Sequence, residues 1–381
     1  MVGVPGHAGG GRPSDVTVAR DLENFDQQMM ARALFHAARG QGRTTPNPMV
    51  GAVVVSSEGV IVGQGWHERA GDAHAEAGAI DEAGDRARGA TMYVTLEPCC
   101  HVGRTGPCTA RIIEARIARV VAAMTDPDPR VCGKGFAHLR AAGIAVDEGI
   151  GERDAARLNQ AFTLVKTQCR PLVVLKAATS LDARVAARAG ERTSISSMPA
   201  NRRTHLLRAS VDAIAVGSAT LLIDDPLLTA RECRRVRPLV RVVFDRRLRT
   251  SPAARLFSTL AEGPVIIMTG PSTRRVPGRA AALESAGALI VETASIGDAL
   301  QRLIEWDVST LLVEGGPVLH EAFVVAGFVD RLHLIVAPHV LGDDGVKWLG
   351  SDVLSPSSLS RLTAEPQGPD IWIEADVHGH S

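Results

Sequence analysis

Histidine, glutamate and cysteine recur in the first third of the chain at spacings that suit a metal centre. His74-Ala75-Glu76 is followed by Pro98-Cys99 and, after eight intervening residues, by Cys108. One imidazole and two thiolates form a catalytic zinc set, because such a site takes three protein ligands and keeps one position for water. Zinc lowers the pKa of bound water towards ~7. Glu76, two residues from His74, is suited to moving protons rather than to ligating. His74 and Cys108 each stand at the start of a predicted helix, whose positive dipole end favours thiolate over thiol. The competing reading is a closed structural zinc with Cys100 or His101 as fourth ligand, which leaves Glu76 without a role.

Helix and strand signals alternate through the elements that must position these side chains. A helical stripe on Met29, Ala33, Leu34 and His36 stops near Gly40. Residues 50–55 and 60–62 are β-branched runs split by Ser-Ser-Glu-Gly, a hairpin-like pair. Helices over 73–83, 109–117 and 136–142 then alternate with strands over 91–95, 120–124 and 144–146. That alternation with short links predicts an α/β fold with a mostly parallel sheet flanked by helices. The Gly/Pro-rich start, residues 1–24, is expected to be a disordered extension, so the first domain covers 25–150. Residues 151–169 read as a polar linker helix, and a second α/β domain covers 170–381.

In that second domain the strand candidates are 172–176, 213–216, 240–244, 265–268, 310–313 and 333–337, with helices notably over 199–208 and 296–306. Charged residues interrupt these apolar runs: Lys176 ends Leu-Val-Val-Leu-Lys, Asp224 and Asp225 precede Pro226, and Glu314 opens Glu-Gly-Gly. Buried ionisable groups are costly unless paired or functional. A structural ion pair such as Lys176 with Asp224 is the plain alternative. The stretches Val-Gly-Ser-Ala-Thr and Val-Glu-Gly-Gly place Gly217, Thr220, Gly315 and Gly316 at strand-to-helix turns, where backbone N–H groups cradle phosphates. Neither turn is G-x-G-x-x-G, so a Rossmann site is not indicated.

Composition narrows the classes. The 381 residues carry 42 Lys+Arg against 42 Asp+Glu, a net charge of zero that argues against a polynucleotide held on a broad basic face. Aromatics make up 3% with a single Tyr, too few for a base-stacking surface. No run approaches ~18 apolar residues, and no signal-peptide core opens the chain, so the reading is a cytoplasmic protein without a membrane partner. Six cysteines in so long a chain are too few for a disulfide scaffold. Cys100, Cys132, Cys169 and Cys233 take no assigned role.

The pattern H-x-E…P-C-x-x-C is the signature of zinc nucleobase deaminases; here eight residues, not two, separate the cysteines. With Thr-Thr-Pro-Asn-Pro at 44–48, Gly-Gln-Gly-Trp-His at 63–67 and Asp-Pro-Asp-Pro at 126–129, residues 25–150 resemble the deaminase half of the bifunctional riboflavin-biosynthesis deaminase–reductases. Residues 170–345 resemble the reductase half. The resemblance implies a cytidine-deaminase-like three-layer domain followed by a dihydrofolate-reductase-like domain. It implies Zn2+ on His74, Cys99 and Cys108, and Glu76 as proton shuttle. Asn47 would contact the pyrimidine, while His67, His101 and Arg104 would hold the ribose-phosphate end, closed by Asp126. In the second half, Lys176, Asp224 and Glu314 would surround the sugar C1 that receives hydride. Arg208 and Arg231 would bind the substrate phosphate, and Ser196, Gly217 and Thr220 would line the NADPH side. The implied ligand is a small phosphoribosylated pyrimidine, and the implied assembly a homo-oligomer. Ala183, Arg184 and Ser194 stand where that family has Gly, Lys and Trp, so a specialised paralogue with an altered reductase is a second reading. A non-catalytic, zinc-stabilised binding module is a third.

Overall fold

The computed structural model describes residues 15–101, 106–271, 278–350 and 354–377. The chain divides into two compact units, Met1–Gln41 with Met49–Asn159 and Gly42–Pro48 with Gln160–Ser381.

The first unit opens with helix α1 (Asp15–Ala38), which begins inside the stretch expected to be disordered. Residues 15–24 contain neither Gly nor Pro and continue the helix formers that follow; residues 1–14 lie outside the described residues. Next come β1 (Gly51–Val55), β2 (Ile61–Trp66), α2 (Ala75–Ala83), β3 (Thr91–Val94), α3 (Cys108–Glu114), β4 (Arg119–Ala122), α4 (Lys134–Ala141), β5 (Ala145–Glu148) and α5 (Glu152–Leu158). The strand order is β2-β1-β3-β4-β5. The sheet is mixed rather than mostly parallel: β1 runs antiparallel to β2 and β3, while β3, β4 and β5 are parallel. Its two faces carry separate cores. Ala52, Val54 and Val94 pack with α2, α3 and α4, and Val53, Tyr93 and Val121 pack with α1 and α5, giving three layers. On the second face Asp26 accepts the Tyr93 hydroxyl at 2.6 Å and both ends of the Arg119 fork at 3.0 and 2.7 Å, pinning α1 to the sheet.

Close approach fixes α2 on the other face. A Cβ at Gly63 would sit 2.1 Å from the Ala79 carbonyl oxygen, and one at Gly65 would sit 2.3 Å from that of Ala75. Only glycine lets the helix backbone rest on the strand at this distance.

The second unit contains α6 (Gln160–Gln168), β6 (Leu172–Ser180), β7 (Arg184–Ala186), α7 (Met198–Ser210), β8 (Ala213–Gly217), α8 (Ser218–Asp224), β9 (Val240–Phe244), β10 (Val265–Thr269), α9 (Arg279–Ser285), β11 (Ala288–Glu292), α10 (Ile296–Leu303), β12 (Thr310–Val313), α11 (Pro317–Val325), β13 (Arg331–Ala337), β14 (Val346–Lys347), β15 (Leu359–Gln367) and β16 (Asp370–Val377). The main sheet has nine strands in the order β11-β10-β9-β8-β12-β6-β13-β16-β15, and β14 pairs with β7. From β11 to β13 every pairing is parallel, and the chain closes on the antiparallel β16–β15 edge. Apolar clusters cover both faces. The expected linker helix is therefore two helices, α5 and α6, broken at Asn159, whose buried amide bonds the backbone of Met49. Residues 42–48 belong to the second unit, where the Thr45 hydroxyl donates to Asp212 at 3.2 Å. No helix among the described residues is long and apolar enough to cross a membrane.

Candidate active sites

In the first unit, α2 and α3 deliver the metal-type ligands from their starts. His74 is the residue before α2, with extended backbone, and Cys108 is the first residue of α3. Cys99 lies on the segment after β3 and accepts the Cys108 backbone N–H at 3.3 Å. His74 Nδ1 stands 3.2 Å from Cys108 Sγ and 3.5 Å from Cys99 Sγ, and all three donor atoms lie within 4.8 Å of one another. Donors on a tetrahedral zinc with bonds of about 2.0–2.3 Å are about 3.3–3.8 Å apart, so this set fits the ion. Cys100 and His101 do not join the group among the described residues.

The electrostatics suit a soft cation. Hydrogen bonding from Cys108, then from His74, outweighs burial and brings the Cys99 thiol down to about 4, while Cys108 is pushed up by its bond to Cys99 and by burial. Glu76, in the first turn of α2, is 3% exposed and within hydrogen-bonding reach of Cys108. Burial, and then the charge of Cys99, raise its carboxyl.

The expected substrate residues are placed unequally. His67 is buried edge-on to His74, with ring centroids 5.5 Å apart and its Nδ1 3.2 Å from the Ala73 carbonyl. Desolvation by burial lowers its pKa. His101 is exposed, and Arg104 lies outside the described residues. Asn47 sits in the segment grouped with the second unit, its N–H on the Thr44 carbonyl. Asp126 is buried and accepts the Asp128 N–H at 2.8 Å, a turn-forming bond.

Glu97 was not anticipated. Its buried carboxylate accepts backbone N–H groups from Asp126 (3.1 Å), Gly133 (2.9 Å), Gly135 (2.8 Å) and Phe136 (3.4 Å), tying the 126–136 loop beneath the Cys99 segment. Its place two residues before Cys99 was the only available signal.

In the second unit a cavity of about 940 Å³ opens along the carboxyl ends of the parallel strands, the usual place for ligands in open α/β sheets. It brings together Lys176, Asp224 and Glu314 with the turn residues Gly217, Thr220, Gly315 and Gly316. The ion pair that forms is Arg208–Glu314, not Lys176–Asp224: Nε meets Oε1 and Nη2 meets Oε2, both at 2.8 Å. Burial alone would raise the Glu314 carboxyl, but Arg208 and then Lys176 outweigh it and bring it down to about 2. Burial lowers the Lys176 ammonium and raises the Asp224 carboxyl. Arg208, expected on phosphate, thus has its fork occupied by Glu314, and Arg231 lies outside the cavity lining with its N–H on His205 Nδ1 at 3.2 Å. Ser196 is also absent from the lining; its hydroxyl bonds Asn201 at 2.8 Å. Ala183 adopts φ 58°, the left-handed region where glycine is cheaper. Sequence reading missed His320, a buried cavity residue whose Nδ1 accepts the Trp348 indole N–H at 2.9 Å.

Comparison with known proteins agrees with both halves. Residues 23–124 match the cytidine and deoxycytidylate deaminase zinc-binding region, and residues 171–373 match the RibD C-terminal domain. The riboflavin biosynthesis protein RibD of Escherichia coli is 40% identical over 372 residues, covering 91% of this chain and 98% of its own. That of Aquifex aeolicus is 41% identical over 324 residues, covering 84% and 89%. Among solved structures, Acinetobacter baumannii RibD superposes with a TM-score of 0.82 at 34% identity, covering 93% of this chain and 99% of that one. A Thermotoga maritima diaminohydroxyphosphoribosylaminopyrimidine deaminase/5-amino-6-(5-phosphoribosylamino)uracil reductase gives 0.81 at 33% identity, with the same coverage. The chain belongs to the RibD family, bifunctional enzymes of riboflavin biosynthesis that join a zinc-binding deaminase domain to a reductase domain.

Proposed function

We propose that the first unit hydrolyses the 2-amino group of 2,5-diamino-6-(phosphoribosylamino)pyrimidinone, and that the second reduces the ribosyl side chain of the product to ribityl with NADPH. The observation that carries the reading is the convergence of His74, Cys99 and Cys108 beside a buried Glu76. Those three residues would hold zinc, which supplies the Lewis acidity that makes water nucleophilic at neutral pH. Glu76, with its carboxyl raised by burial, takes one proton from the attacking water and gives it to the ring nitrogen, then carries the second proton from the new hydroxyl to the departing amine as the C–N bond breaks and ammonia leaves. Asn47 would orient the pyrimidine, while His101 and Arg104 would meet the phosphate end, with Asp126 shaping the loop and His67 supporting His74.

In the second unit the turns at Gly217–Thr220 and Gly315–Gly316 would hold the phosphates of NADPH, which supplies the two electrons. Lys176 and the ionised Glu314 hold the opened sugar, and Asp224, raised by burial, gives the proton that its new hydroxyl requires. Arg208 orients Glu314, and Arg231, whose Nη2 stands 3.3 Å from His205 Nε2, would have to exchange that contact to meet the phosphate. We place the protein in the cytoplasm as a homo-oligomer, on the resemblance alone; light scattering checks the assembly. The deciding assay follows ammonia release and NADPH oxidation on the diaminopyrimidine phosphate. Sequential production of both signals supports the reading, whereas deamination without NADPH use would favour the paralogue.

A further inference from the structure

Lysine is rare in this chain. Of its 42 Lys+Arg side chains only Lys134, Lys166, Lys176 and Lys347 are amines, and the rest are guanidiniums. A guanidinium stays protonated in a protein, whereas a lysine gives up its proton when it is desolvated or set beside another cation, and then becomes a nucleophile. Lys134 and Lys347 are exposed, and Lys166 lies over the Phe162 ring. Of the four, Lys176 is the one on the wall of the second unit's cavity.

Its surroundings favour the free amine. Ala178, Val185, Ala186 and Val346 share that wall and offer no side-chain acceptor. Burial lowers the Lys176 ammonium, Glu314 attracts it, and the Arg208 cation repels it. Both Glu314 oxygens are already taken by the Arg208 fork at 2.8 Å. Among the described residues Lys176 Nζ has no hydrogen-bond acceptor. A lone pair left free in this way is poised to attack a carbonyl carbon. Asp224 stands on the same cavity with its carboxyl raised by burial, a source of the acid that expels water.

We infer that Lys176 is an imine-forming amine, a covalent site for phosphorylated aldehydes of the aldose class. The step balances without a further reactant. Nζ adds to the aldehyde carbon, and the oxygen takes up the proton that the nitrogen releases. Asp224 then protonates the hydroxyl, which leaves as water while the C=N bond forms, and recovers a proton from the nitrogen. No electrons are exchanged, and hydrolysis returns the free lysine. For the identity of the aldehyde the inference rests on the reading of this cavity as the place where a phosphorylated sugar opens to expose C1. A free aldose phosphate brings the same carbon without the pyrimidine. Captured there, it blocks reduction and leaves deamination running.

The test incubates the full chain with erythrose 4-phosphate, whose phosphate blocks ring closure and keeps the aldehyde open. Cyanoborohydride is added to reduce any imine to a stable secondary amine. Peptide mapping by mass spectrometry is expected to find the adduct on Lys176 at least about tenfold faster than on Lys134, Lys166 or Lys347. Without the reductant, NADPH oxidation should fall and return on dialysis; with it the loss should persist, while ammonia release stays unchanged. Lys176→Arg, which keeps the charge but has no nucleophilic amine, should lose the fast adduct and keep the slow ones. Equal labelling of all four lysines, in a chain that oxidises NADPH on its substrate, would overturn the inference and leave the proposed function standing. Fast labelling of Lys176 in a chain that never oxidises NADPH would support the amine chemistry and overturn the reductase reading.

Discussion

Two carboxylates carry proton chemistry in the proposed reactions, and each is separable from its surroundings by one atom. Glu76→Gln keeps size and burial but removes the shuttle. Ammonia release should drop by at least about 10²-fold, while zinc content, measured by atomic absorption, stays at the parent level because Glu76 is outside the ligand set. Asp224→Asn should slow NADPH oxidation by about 10²-fold or more and leave ammonia release intact, a split that coupled assays resolve. The metal-type ligands were legible in the sequence because H-x-E and a cysteine pair are dense local signals. The Arg208–Glu314 pair was not, since its partners are 106 residues apart and only the fold joins α7 to the end of β12. Glu97 was equally hidden: its four donors lie 29 to 39 residues downstream, on backbone rather than side chains.

Elements act here by setting the position of those residues. Gly65→Ala would drive a methyl group into the Ala75 carbonyl, so α2 must lift and take His74 and Glu76 with it. A displacement near 1 Å costs about 10²-fold in rate, and overpacking costs about 1–3 kcal/mol. The expected result is lower zinc affinity, slower deamination and an undisturbed reductase. Glu97→Ala would strand four backbone donors and destabilise the chain by about 3–5 kcal/mol, read from urea unfolding. Strands buried on both faces, such as β8, β10 and β12, announced themselves as continuous apolar runs. The half-exposed β11 did not, nor did β15, a largely exposed edge strand containing Pro366. The break between α5 and α6 was invisible because Asn159 ends the helix through its bonds to Met49, a tertiary partner.

Across the whole molecule, acid should act mainly through the second unit. Burial, then the charge of Lys176, hold His320 down to about 4 against 6.5, so the unfolded chain binds its proton first. Its contribution is present above pH 6.5 and is lost as pH falls towards about 4. Glu314, at about 2 against 4.5, keeps its contribution above pH 4.5 and loses it as pH falls towards about 2. Each is worth about 3 kcal/mol. Urea midpoints should therefore decline in two stages, and His320→Gln should flatten the first. The same histidine has an optical consequence. Its Nδ1 holds the indole of Trp348, one of four tryptophans, against a wall of the nicotinamide-type cavity. Reduced nicotinamide absorbs where indole emits. Intrinsic fluorescence should therefore quench as cofactor loads, with emission appearing at the nicotinamide's own wavelength. Trp348→Phe should remove most of that transfer, making this residue a built-in reporter of cofactor occupancy that needs no turnover and no label.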